Sequence, residues 1–101
     1  MRPIGRAVAS ALRLLGVDHD VARADAMRAW ADAAASVLGE DARETRAVRA
    51  EGATLVVVVP SAQWAGEIRL RERELVLAVT KRAPSSGITR LRPVPASAHD
   101  R

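Results

Sequence analysis

A chain of 101 residues has room for one hydrophobic core, and 49% apolar with 28% charged residues is the composition of a globular domain. The lack of cysteine excludes disulfides, zinc fingers and thiol catalysis, and no apolar run approaches the roughly 18 residues of a membrane span. The net charge of +4 is uneven: residues 1–42 carry five Arg against six acids, residues 43–101 eleven basic side chains against six. A basic excess in the second part points to an anionic partner such as nucleic acid. Fifteen of the sixteen basic residues are Arg, however, and an Arg- and Ala-rich composition also follows from genome bias alone.

The first predicted element is a helix over Pro3–Leu15. Pro3 suits a first turn, Gly16 a stop, and Ile4, Ala7, Val8, Ala11, Leu12 and Leu15 form one stripe with Arg6 and Arg13 off it. A targeting presequence shares some of this character, but the stripe suits a packed helix, and a cytoplasmic protein is expected. A second helix is predicted from Asp18, a good N-cap, to Leu38. Its buried stripe is expected to be Met27, Trp30, Ala31, Ala34, Val37 and Leu38, and Gly39 ends it.

Thr45–Ala50 reads as a weakly alternating strand, Glu51-Gly52 as a turn, and Thr54–Val59 as a strand whose apolar run stops at Pro60. Five apolar residues without alternation imply a strand covered on both faces or a central one. Ser61 then caps a helix predicted to run unbroken to Arg82. Trp64, Ile68, Leu75 and Val79 share one face, widened by Ala65 and Val76, while Leu70 and Leu77 point nearly the opposite way. After a loop at Pro84–Gly87, Ile88–Val94 is a last strand, followed by a flexible tail over 95–101.

The order is α-α-β-β-α-β, an α+β fold in which residues 1–94 form a single domain with an N-terminal helical extension. A hairpin followed by a helical crossover gives a mixed three-stranded sheet with the valine strand in the middle and helices on one face. The other face is expected to expose two or three of Val56–Val59 beside arginines.

The residues from about 20 to 94 resemble the DciA family. The resemblance rests on Trp30 followed by Val37 and Gly39, on "EGATLVVVVPSAQWAGEIR", on "LVLAV" and on "GITRLR". The family pattern falls on Gly52, Leu55, Val57, Ser61, Trp64, Glu67, Ile68 and Arg69, with Ile68 in place of the usual Leu. These are bacterial proteins linked to loading of the replicative DnaB-type helicase. The resemblance implies a KH-like fold, the replicative helicase as partner and some affinity for DNA. Many members carry a long basic extension, and only a short tail stands here, so weak single-stranded DNA binding is expected.

Recognition of RNA in the usual KH manner needs a Gly-x-x-Gly loop, and no two of the six glycines have that spacing. Two helical tryptophans do not make a base-stacking platform either. Charge remains. Arg46, Arg49, Arg90 and Arg92 on outer strands, with Arg69, Arg71 and Arg73 on the helix, can attract phosphates without reading sequence.

Trp30 lies mid-stripe and reads as core. Trp64 shares a face with Ile68, which favours core, yet it stands at the strand-to-helix joint, where a tryptophan can anchor a partner. Leu70 and Leu77 are surplus apolar residues of the kind that mark contact sites. Trp64, Leu70 and Leu77 are therefore the expected helicase contacts. His19 and His99 have no partner at metal spacing, Ser85 and Ser86 have no nearby base, and there is no Walker motif. No enzyme, metal or cofactor is expected. The favoured reading is a non-catalytic adaptor. The alternatives are a small KH-like nucleic-acid-binding module and a homodimer formed through the open sheet face.

Overall fold

The computed structural model describes residues 17–96. The helix expected at Pro3–Leu15, its Gly16 stop and the tail from residue 97, with His99, lie outside the described residues, as do the side chains of Asp18 and His19.

Helix α1 (Val17–Leu38) buries Ala22, Ala26, Trp30, Ala33 and Ala34. Ala31, expected inside, is exposed. The rest of the expected stripe faces inward, Trp30 and Ala34 buried and Met27, Val37 and Leu38 half-buried against the core; alanines stand on every side of this helix, and close packing takes Ala33 inside in place of Ala31. Gly39, at φ 81°, ends α1 in a conformation that only glycine adopts cheaply. A 3-10 turn over Glu40–Glu44 follows. It carries Thr45 beneath Trp30, whose indole Nε1–H donates to Thr45 Oγ1 at 3.0 Å, and that hydroxyl donates to the Ala42 carbonyl at 2.6 Å. Trp30 and Thr45 are both buried, so this pair satisfies the one polar atom of the largest core side chain.

Strand β1 (Arg46–Glu51) pairs antiparallel with β2 (Thr54–Val59) through a two-residue loop, Gly52-Ala53. Gly52 has φ 61° and Ala53 a negative φ, the signs of a type II′ hairpin turn. The register slips between Ala47 and Arg49, leaving Val48 as a bulge. The slip matters. Arg46 faces Val58 and Arg49 faces Val56, so two arginines three residues apart share one face. Strand β3 (Arg90–Pro95) pairs parallel with β2, and the order β1-β2-β3 puts the valines in the centre, as expected.

The helix expected over residues 62–82 is two helices, α2 (Ala62–Leu70) and α3 (Glu72–Arg82), kinked at Arg71. Helical bonding continues through the kink, since Leu75 N–H still reaches the Arg71 carbonyl at 3.0 Å. The cause is tertiary: α2 packs on β3 whereas α3 packs on α1, and one straight rod cannot follow both. The Glu72 carboxylate stands just past the kink and accepts the Leu91 backbone N–H of β3 at 2.8 Å.

Leu55, Val57 and Val59 face the helices and meet Trp30, Ile68, Leu75, Val79, Ile88 and Leu91 in one core. The described order α-β-β-α-α-β, with its mixed sheet and helices on one side, is the α+β, KH-like arrangement. One expectation is corrected. Val56 and Val58 do turn to the other face of the sheet, but Val56 is fully buried and Val58 nearly so. That face therefore presents no strip of exposed valine among the described residues. The last strand also runs to Pro95, one residue into the expected tail.

Candidate functional site

Sheet pairing places four of the predicted arginines on the face away from the helices. Arg49 of β1 and Arg92 of β3 both stand opposite Val56, one on each side. Arg46 stands opposite Val58, and Arg90 opposite Thr54. Strands lie about 4.8 Å apart, so β1 and β3 are separated by about twice that distance. Glu51 bridges the gap. One carboxylate oxygen takes the Arg49 Nε–H, and the other lies 3.1 Å from Arg92 Nη2. The arch passes over the buried Val56. The hydrogen bond from Arg49 and the nearby charges of Arg92 and Arg49 hold the Glu51 carboxyl below its ordinary value, against a smaller opposing effect of desolvation. It is therefore ionised at neutral pH, and the arch weakens only as pH falls through that lowered value.

Arg69 extends this basic region around the β3 edge. It lines a groove of about 500 Å³ with Thr54, Glu72, Arg90, Leu91 and Arg92. Arg71 goes elsewhere: its Nε donates to Glu67 Oε1 at 2.9 Å, one helical turn back. Arg73 is exposed on the first turn of α3 and lines neither region. Of the seven predicted arginines, four lie on the sheet face, Arg69 of α2 lies beside it, and Arg71 and Arg73 lie away from it.

Trp64 is half-buried. Ser61 Oγ caps α2 by accepting the Trp64 backbone N–H at 3.3 Å, which fixes where the indole leaves the helix. Part of the ring packs against the core, and part lines an open cleft of about 350 Å³ with Val37, Leu38, Asp41, Gln63, Glu67 and Arg71. The core and surface readings of Trp64 thus each hold for part of the side chain. Leu70 is 84% exposed and Leu77 63%, by far the most exposed leucines among the described residues. The cleft lining mixes the apolar Val37, Leu38 and Trp64 with the polar Asp41, Gln63, Glu67 and Arg71.

Among the described residues no group of His, Cys, Asp and Glu is placed to hold a metal ion, and no helix is long and apolar enough to cross a membrane. Sequence reasoning missed Glu51 and Glu72. Glu51 was read only as a turn residue, because its second partner lies 41 positions downstream on a strand that it does not pair with.

The family model described as Dna[CI] antecedent, DciA, matches residues 3–92. The chain belongs to the DciA family. No curated protein matches it. DciA proteins are associated with the replicative DNA helicase, and the fold now gives physical roles to the motif residues by which this DciA chain resembles them. Ser61 is the helix cap, Ile68 is core, Glu67 clasps Arg71 beside the cleft, and Arg69 overlooks β3. Trp64 is divided between the interior and the surface.

Proposed function

We propose that this DciA protein is a non-catalytic adaptor that binds the DnaB-type replicative helicase and assists its loading on DNA, with a weak, sequence-independent affinity for single-stranded DNA. The family match over residues 3–92 carries the reading. The distribution of surface chemistry supports it. The half-buried Trp64 with its cleft and the exposed Leu70 and Leu77 supply apolar contacts for a protein partner, while the arginines of β1 and β3 supply contacts for phosphate. A protein partner and a DNA strand could then be held at once. Without a Walker motif the chain contributes binding energy alone, and an open form of the helicase ring that it prefers would gain population in proportion to that preference. The site of action would be the cytoplasm, with the chromosome.

A second reading, a KH-like nucleic-acid module acting without the helicase, is favoured by the sharing of one face by Arg46, Arg49, Arg90 and Arg92. Size-exclusion chromatography of the protein mixed with the helicase of the same cell separates the two. Co-elution, together with faster helicase assembly on single-stranded DNA, is the expected result. Separate elution at micromolar concentrations, with DNA binding intact, would leave only the second reading.

A further inference from the structure

We infer that Glu51 is an internal competitor for phosphate: Arg49 and Arg92 form a phosphodiester-binding position across β2, which the chain's own carboxylate fills until a nucleic-acid strand displaces it. The inference rests on the nucleic-acid part of the proposed function and adds its regulation.

The geometry is that of a bridged anion site. Two guanidinium groups approach from strands on either side of β2, and one carboxylate is ion-paired with both, one oxygen accepting the Arg49 Nε–H and the other lying 3.1 Å from Arg92 Nη2. A phosphodiester has the same two-oxygen, singly charged presentation, and the Arg fork serves either anion. Among the described residues Glu51 alone bridges two arginines. Glu67 holds one, Arg71, a helical turn away, and Glu72 accepts a backbone N–H. The carboxylate can also leave. Glu51 is the last residue of β1, beside the hairpin loop, and its side chain is 44% exposed, so a rotamer change carries it into water. Val56 beneath the arch stays flanked on either side by Arg49 and Arg92. When the carboxylate swings out, Arg46, Arg49, Arg90 and Arg92 border the central strand with no acid between them.

Two consequences follow. The closed arch cancels one of two positive charges at the centre of the face, which lowers affinity for isolated anions. A polyanion, contacting Arg46 and Arg90 in addition, can still displace the acid. The face therefore favours a nucleic-acid strand over a small phosphate.

The test is fluorescence anisotropy of the full chain with a labelled oligo-dT probe over a series of salt concentrations. Glu51→Gln keeps the shape and removes the charge. It is expected to bind about fivefold more tightly at low salt, the order of one removed like charge at contact distance in water. The slope of log K against log salt should steepen by about 0.7 for one added phosphate contact. Glu74→Gln, an exposed acid on α3, is the control and should change affinity less than about twofold. Adding Arg49→Ala and Arg92→Ala to Glu51→Gln should abolish the gain. Without DNA, the Arg49 Nε–H resonance should move in Glu51→Gln. Equal gains in Glu51→Gln and Glu74→Gln, a gain that survives loss of both arginines, or an unmoved Arg49 resonance would overturn the competitor while leaving DNA binding in place. If the wild type and every variant ignore the probe at low salt, the DNA reading itself fails and the competitor falls with it.

Discussion

Replacing Thr45 by Val would leave the indole N–H of Trp30 buried without a partner. The substitution is nearly isosteric, so it opens no cavity, and the Ala42 carbonyl keeps the Thr45 backbone N–H at 2.9 Å. The cost therefore concentrates in one atom. Trp30 is 2% exposed and Thr45 7%, so water cannot take the place of the hydroxyl. An orphaned buried donor costs about 1–3 kcal/mol. For a domain of this size each kcal/mol lowers the melting temperature by roughly 4–8 °C. Thr45→Val should melt well below the wild type, and Thr45→Ser, which keeps the acceptor, should recover most of the difference. Urea denaturation followed by circular dichroism measures both. In a cycle with Trp30→Phe, which removes the donor, the penalty of Thr45→Val should shrink by about 1 kcal/mol or more. A Thr45→Val protein as stable as the wild type, or a penalty undiminished in the Trp30→Phe background, would refute the claim that this hydrogen bond satisfies the buried indole N–H.

Three further outcomes are expected. Trp64→Ala should cost no more than about 2 kcal/mol, below the 3–5 kcal/mol of a fully buried aromatic, yet abolish co-elution with the helicase; a loss of stability in that higher range would make Trp64 a core residue and remove it from the contact. Leu70→Glu with Leu77→Glu should leave stability within about 0.5 kcal/mol, given how exposed both side chains are, and should weaken helicase capture; full capture with an unchanged melting curve would show those leucines to be bystanders. Arg90→Ala with Arg92→Ala should make the salt dependence of single-stranded DNA binding shallower by about 1.4, two phosphate contacts at 0.7 each, and an unaltered slope would move the DNA contact to the helical arginines.

The elements whose signals are local were legible in the sequence. Pro60 and Ser61 mark the end of a strand and the start of a helix without help from the rest of the chain, and the run of valines announces a central strand because no half-exposed strand has that composition. The 3.6-residue spacing of Ile68, Leu75 and Val79 likewise selected the buried face and left Leu70 and Leu77 outside. Features set by distant contacts were hidden. The kink at Arg71 has no Gly or Pro to announce it, since it arises from the different neighbours of α2 and α3. The bulge at Val48 lies in a strand whose alternation is blurred by alanines, and it decides that Arg46 joins Arg49 on one face. The candidate site depended on that phase shift and on a bridge between non-adjacent strands. The arginines could thus be named from the sequence, but the acid among them could not be recognised as part of the site.

The outer margin of β3 has a consequence for how copies of this protein coexist. Arg90 N–H turns inward to the Ala53 carbonyl, so the N–H positions of residues 91, 93 and 95 turn outward. Glu72 occupies the first of these, and Pro93 and Pro95 have no hydrogen to offer. This border of the sheet accepts hydrogen bonds but donates none, and a neighbouring strand needs both to zip on. A valine-rich centre of this kind would otherwise invite runaway stacking of chain upon chain. With one margin chemically mute, any added strand has to enter beside β1, where Val48 interrupts the ladder and Arg46 and Arg49 repel their own kind. The bulge that turns Arg46 and Arg49 to one face thus also breaks the ladder on the margin that could still pair.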